Sequence, residues 1–479
     1  MFKTFLRPLL LTTLLLAAIP ANVPRAADLK LVARVDPRIE LLSIVFRLAG
    51  NSEYNMNRFP RYTTDIDHYF SKYKDHPAVL MAKSLADNNG VGYDAVMAMA
   101  VYLSPPPALK PLVPFSKDVP DGRWGQENAT EFVQKLRDFY RDTHFQSFFS
   151  EHQPMYKLAE LRFQSAVLRD LDVAWYKRFY GEAPRGNFNV VLGMNNGGGN
   201  YGPRVLSSEG HEELYAIMGC WTQDDSGNPK YNTSEYLPTL IHEFNHSFVN
   251  PVLDAREADF ASPAEKVYSH VAAQMKEMEY GDTKDMVNES LVRAAVILYF
   301  EAHGETAARI RHRIVREQAN GFVWMDKLCA LLRNYETNRN HYPTFSSFVP
   351  EIDRFYHSLA PQITSEISAF NQHCVHVTGL RPFANRSEDV DPTIKDIAIT
   401  FDEPLEPADY SINLGPGGKE HFPITGKPEF LGSGFSIKLP VQLKPNWAYS
   451  FVLTSSAFQS PEGYPLTSYE VDFKTTGKR

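Results

Sequence analysis

The hydrophobic pattern changes period once, near residue 376, and that change limits what the chain can fold into. Before it, apolar residues recur at helical spacing. "RIELLSIVFRLAG" sets Ile39, Leu42, Val45, Phe46 and Ala49 along one face and stops at Gly50, and "EFVQKLRDFYRDTHFQSFF" and "MYKLAELRFQSAVLRDL" repeat that spacing. After it, "IKDIAITF" and "AYSFVLTS" alternate apolar and polar residues between Pro and Gly turns, which predicts an antiparallel β-sandwich of about 100 residues. The expected fold class is therefore α+β, mostly helical with a small sheet and an all-β tail.

Four segments are expected. Lys3 and Arg7 precede the apolar run "PLLLTTLLLAAIPA", too short to span a bilayer and ending in small residues, so 1–27 reads as a secretory signal peptide cut after Ala21 or Ala27. No Cys lies near that point, which argues against a lipid anchor. Residues 28–182 read as a helical N-terminal region, broken by the Pro-rich loop "SPPPALKPLVPF" at 104–115. Residues 183–375 begin with two strand candidates, "NFNVVLGM" and "ELYAIMGCW", and return to helices from about 234. The intervening "NNGGGNYGP" lacks the G-K-[ST] of a phosphate-binding loop and reads as a flexible connection. Residues 376–479 form the tail.

Composition excludes several classes. A net charge of -8 leaves no electrostatic footprint for nucleic acid. No segment after the signal reaches the roughly 18 to 20 apolar residues of a membrane span. The 3 cysteines, Cys220, Cys329 and Cys374, have no CxxC spacing, so at most one internal disulfide forms, and apolar neighbours such as "IMGCW" read as burial of free thiols.

Chemistry concentrates in "LPTLIHEFNHSFVNP", residues 237–251. Leu237, Leu240, Ile241, Phe244 and Phe248 follow the apolar stripe of a helix. Pro238 fits only a first turn, and Asn250-Pro251 is expected to end the helix. On it, His242 and His246 stand one turn apart on one face, close enough for both imidazoles to bind one Zn²⁺. Glu243 lies about 100° round the helix, placed for a metal-bound water rather than for the metal. These three are the only ionisable groups in the stretch, among mostly apolar or small neighbours, where burial is costly unless they pair or bind metal.

A catalytic zinc needs a third protein ligand and an open position. Val249 and Val252 occupy the places of the Gly and third His in the extended H-E-x-x-H-x-x-G-x-x-H motif, so the third ligand is sought on another helix. In "DMVNESLVRAAVILYF" Glu289 and Arg293 are the only charges between Met286 and Phe300. Glu289 is the candidate third ligand, with Asp254, Glu257 and Glu265 as alternatives and an i,i+4 pair to Arg293 as the plain structural reading. Candidates for stabilising an oxyanion are Tyr268, His270, Tyr280, Arg293 and Tyr299.

H-E-x-x-H followed by N-E on a later helix is similar to the gluzincin metallopeptidases. The stretch from "VDPRIELLSIVFRLAGNSEYN" to "VNESLVRAAVILYF" also resembles an exported bacterial zincin-like family of unassigned function. These resemblances imply one zinc per chain held by His242, His246 and Glu289, with Glu243 as general base in peptide hydrolysis. They also imply an edge strand, "ELYAIMGCW", that binds an extended peptide. The tail resembles bacterial Ig-like modules of exported and surface-layer proteins, with Tyr449 in "LKPNWAY" spaced as in a tyrosine corner. The expected protein is a periplasmic or extracellular metallopeptidase acting on peptides or proteins. The rival is a non-enzymatic envelope protein with structural zinc, the tail making its contacts. The sequons at Asn245 and Asn288 would put glycans against the metal site, which argues against a glycosylating secretory route.

Overall fold

The computed structural model describes residues 31–182, 186–207, 210–407, 410–455 and 457–477. The signal peptide assigned to 1–27 lies outside the described residues. Among the described residues no helix is long and apolar enough to cross a membrane.

The molecule is α+β. A short strand, β1 (Ala33–Arg34), leads into eight helices: α1 (Pro37–Ala49), α2 (Pro60–Phe70), α3 (Pro77–Asn89), α4 (Tyr93–Val101), α5 (Gln126–Asp142), α6 (Phe145–Glu151), α7 (Gln153–Ala166) and α8 (Val173–Tyr180). The α1 helix starts where the Asp36 side chain caps Arg38 N–H ahead of Pro37, and it ends at Gly50, whose φ of 99° only glycine adopts cheaply. It is buried continuously from Arg38 to Arg47, so its polar residues are paired inside. Arg38, for example, holds Asp36 at 2.7 Å and the Leu103 carbonyl at 2.7 Å.

Strands β2 (Gly186–Gly193), β3 (Arg204–Leu206) and β4 (Glu212–Gly219) complete a sheet of order β1-β2-β4-β3. The first three in that order run parallel, and β3 pairs antiparallel with β4 through Val205 and Glu213. The C-terminal halves of β2 and β4 are buried on both faces, which explains their unbroken apolar runs. One expectation is corrected here. "ELYAIMGCW" is interior, not an edge, because β3 covers it. The exposed edge belongs to β3, whose three residues are too few to show a pattern in the sequence.

Helices α9 (Thr233–Asp254), α10 (Glu257–Glu277), α11 (Thr283–Ala302), α12 (Ala307–Ala319), α13 (Met325–Thr337), α14 (Phe345–Leu359) and α15 (Ile363–His373) follow. A second correction concerns α9, which starts at Thr233 and runs through both Pro238 and Pro251 to Asp254. Each proline removes a main-chain donor, at a cost of about 3 kcal/mol. Packing of α9 against β4, α11 and α14 buries Leu237, Leu240, Ile241, Phe244, Val249 and Leu253, and burial at roughly 1.5 to 3 kcal/mol per side chain outweighs that cost.

Buried apolar residues form two clusters. One runs from Ala33 to Ile363, so the N-terminal helices, the sheet and α9 to α14 share a core. The other, from Val375 to Phe473, lies in β5 (Val377–Arg381), β6 (Asp396–Phe401), β7 (Ile412–Leu414), β8 (Glu429–Leu431), β9 (Ser436–Pro440), β10 (Ala448–Leu453) and β11 (Tyr469–Lys474) and their loops. These strands make two antiparallel sheets, β5-β6-β9-β8 and β11-β10-β7, whose inward residues meet in that cluster. The Tyr449 hydroxyl accepts Lys444 N–H at 2.6 Å, back toward the preceding turn. Cys220, Cys329 and Cys374 are buried free thiols.

Candidate metal centre

The α9 and α11 helices pack side by side, and a buried amide sets their register. Asn245 donates to the Val292 carbonyl at 3.4 Å and accepts the Tyr180 hydroxyl at 2.9 Å. With that contact fixed, the residues flanking Asn245 face Glu289, one turn before Val292. His242 Nε2 and His246 Nε2 lie 3.0 Å apart. Glu289 places Oε1 3.2 Å from His246 Nε2 and Oε2 3.6 Å from His242 Nε2. Among the described residues this is the one convergence of three or more metal-ligating side chains.

The donor set fits a metal ion. Ligands bound tetrahedrally at about 2.0 to 2.1 Å from zinc stand roughly 3.3 Å from one another, close to the separations here. His246 Nδ1 faces Asn250 Oδ1 at 3.2 Å, which keeps the proton on Nδ1 and leaves Nε2 for a metal. The histidine side chains keep 20% and 18% of their surface exposed, against 9% for Glu289, so the site is open on its imidazole side.

Electrostatics point the same way. Burial lowers the His242 imidazole to about 3, with the charges of His246 and Arg293 adding to the effect. Burial also opposes charge on His246, but the hydrogen bond and charge of Glu289 outweigh it and lift His246 to about 9. Burial pushes Glu289 up, yet the two histidines and Arg293 hold it well below the usual carboxylate range. Two imidazoles aimed at each other over an ionised carboxylate thus retain one proton, in the place where a divalent cation would satisfy all three. Glu243, next to His242 and buried, is pushed up to about 7 by desolvation, partly offset by His246.

The alternative third ligands lie elsewhere. Asp254 pairs with Lys284 at 3.1 Å and accepts Asn288 at 3.2 Å, while Glu257 and Glu265 are exposed. Of the oxyanion candidates, Tyr299 accepts Asp172 N–H at 2.7 Å beside α8, Tyr268 donates to the Tyr280 carbonyl at 3.1 Å, and His270 is exposed. Tyr280 and Arg293 are at the site. Asn245 and Asn288 are both buried, leaving no room for a glycan. Three contributors escaped the sequence reading. Asn250 lies at i+4 from His246 and was findable; Glu317 of α12 and Gly202, packed against the Glu243 carbonyl, carry no local pattern.

Residues 31–354 match a family described as "Domain of unknown function (DUF4932)". The chain belongs to that family. The match to DUF4932 takes in every residue of the metal centre and stops within α14, before the two C-terminal sheets. No curated protein matches the chain. Among solved structures it is similar to CopC from Methylosinus trichosporium OB3b, at 17% identity over 22% of this chain and 96% of that one, with a TM-score of 0.18. It is also similar to the surface layer protein SbsC, domains 1–6, at 14% identity over 52% of this chain, with a TM-score of 0.18. The chain spans only 34% of that SbsC structure, and TM-scores this low inform neither fold nor function.

Proposed function

We propose that this DUF4932 chain is an exported, gluzincin-like zinc metallopeptidase, with an Ig-like sandwich after the catalytic region. The observation that carries the reading is the convergence of His242, His246 and Glu289 beside a buried carboxylate, Glu243, that makes no ligand contact of its own. A bound zinc would supply Lewis acidity and lower the pKa of a water in its open position. With zinc held by His242, His246 and Glu289, Glu243 would be the base that takes a proton from the attacking water as its oxygen bonds to the peptide carbonyl carbon. It then delivers the proton to the leaving nitrogen as the C–N bond breaks. The rival reading, structural zinc in an envelope-binding protein, needs no base at position 243.

The histidine pair tests the metal site, and Glu243→Gln separates the two readings. Purified protein is expected to hold one zinc, and His242→Ala with His246→Ala to hold none. Glu243→Gln should keep zinc and melting temperature while hydrolysis of a peptide library drops roughly 10²- to 10⁴-fold. Zinc retained by the double histidine variant would refute the site. Equal inertness of wild type and Glu243→Gln would favour the envelope protein.

A further inference from the structure

Glu289 uses its two oxygens differently. Oε1 lies 3.2 Å from His246 Nε2, whereas Oε2, 3.6 Å from His242 Nε2, also accepts a hydrogen bond from Arg293 Nε at 3.1 Å, one turn along α11. Arg293 commits its other nitrogens as well. Nη1 donates to Glu317 Oε2 of α12 at 2.7 Å and Nη2 to the Tyr280 hydroxyl at 2.7 Å. The guanidinium lies 5.7 Å from the Tyr280 ring centroid and 5.2 Å from that of Phe322. Glu317 is itself held by Asn320 Nδ2 at 3.2 Å. An arginine engaged on every nitrogen and lying against two rings is not free to meet a substrate.

Its charge poses a question, because a bare cation this close to a ligand oxygen would oppose a divalent ion. Glu317 answers it. The Arg293–Glu317 pair is close to neutral as a unit, and its two side chains keep only 17% and 18% exposure, so solvent screens the pairing little. What remains is orientation. An oxygen already accepting from a guanidinium is a poorer metal donor, so the free oxygen, Oε1, is preferred. A carboxylate bound through both oxygens would fill the position that a hydrolytic zinc keeps for water.

We propose that Arg293, neutralised by Glu317, is a positioning residue that makes Glu289 a one-oxygen ligand through Oε1 and so keeps a coordination position open. The proposal rests on the zinc reading above. The full chain, zinc-loaded, tests it in two measurements: the number of nearest nitrogen and oxygen neighbours from zinc X-ray absorption, and zinc affinity by chelator competition. Wild type should show four neighbours. Arg293→Met should show five, as Oε2 joins the metal, and should still hold zinc. Arg293→Lys, which keeps a cationic donor, should remain at four. Glu317→Gln, which uncovers the arginine's charge, should stay at four while affinity falls roughly 10- to 100-fold.

Four neighbours in a folded Arg293→Met protein would overturn the proposal and leave the zinc site standing. If that variant does not unfold cooperatively, Glu317→Gln decides, and unchanged affinity overturns the proposal. A wild type without zinc overturns the parent reading instead.

Discussion

Glu40 is a carboxyl with no exposed surface, buried within α1 among hydrogen-bonding partners. Its Oε1 accepts Met194 N–H at 2.7 Å, and its Oε2 accepts the Tyr62 hydroxyl at 2.7 Å, which in turn meets the Tyr156 hydroxyl at 2.6 Å. Burial pushes Glu40 up to about 8; Tyr62 and Met194 pull it back in part, and the nearby Asp36 charge adds to the rise. The folded protein therefore keeps a proton that the unfolded chain releases from about pH 4.5 upward. The associated stability is fully present below that pH and is lost as pH rises through about 8. In the protonated form Oε2 donates to the Tyr62 hydroxyl, which then donates to Tyr156, and Glu40→Gln mimics that form with its amide oxygen toward Met194 and its amide nitrogen toward Tyr62. In urea unfolding from pH 5 to 8, wild type should lose stability relative to this variant by up to about 1.4 kcal/mol per pH unit. Parallel curves would show that Glu40 is ionised in the fold. At this scale the convergence of His242, His246 and Glu289 was legible, because they are ionisable groups in apolar runs that demand a partner. The role of Arg293 was not. Its second carboxylate, Glu317, lies 24 residues on, in a helix whose basic composition reads as a solvated face.

The helix that carries the histidines is positioned by main chain as much as by side chains. Gly202, just before β3, lies so close to α9 that a Cβ there would stand 2.3 Å from the Glu243 carbonyl oxygen. Contact that close forces either the sheet edge or the helix to move, at the roughly 1 to 3 kcal/mol typical of overpacking. Gly202→Ala should lower the melting temperature and weaken zinc binding, since it displaces the residue between the two ligand turns. Gly198→Ala is the control, because its nearest neighbour, Met56 Sδ, is 3.9 Å from the added methyl. Identical melting of the two variants would mean the edge segment yields freely. The elements of this layer were unevenly legible. β2 and β4 each bury long apolar runs and were read correctly as strands, whereas β1 and β3 offer two and three residues and depend on their partners for existence. The extent of α9 was misread because local proline chemistry was weighed without the core contacts of Leu253 on its far side.

Over the whole molecule, the first buried cluster ends at Ile363, with Ile367 and Phe370 packed on it, and the second begins at Val375, beside the change of hydrophobic period near 376. Val375 already belongs to the second: it is buried there, and its main chain bonds to Pro465 and Thr467. The clusters meet through few side chains. Tyr464 stacks on His373 at 5.2 Å, meets Phe370 in a tilted contact at 5.9 Å and accepts a hydrogen bond from Arg311, while Gly463 packs against His312. Aromatic pairs of this kind are worth about 0.5 to 1.5 kcal/mol each, small beside the shared core from Ala33 to Ile363. A chain of residues 31–374 should accordingly unfold in one cooperative transition and bind zinc as the proposed site predicts. The informative risk lies in α12, which carries Arg311 and His312 toward the sandwich and Glu317 toward Arg293. If the junction braces that helix, truncation would uncover the arginine's charge and weaken zinc binding without unfolding the core, as Glu317→Gln is expected to do. Chelator competition on the truncated and full chains distinguishes the two cases. Equal affinities would make the sandwich energetically separate from the metal centre. Loss of zinc together with loss of cooperative unfolding would mean instead that the C-terminal sheets are part of one folding unit with the helices.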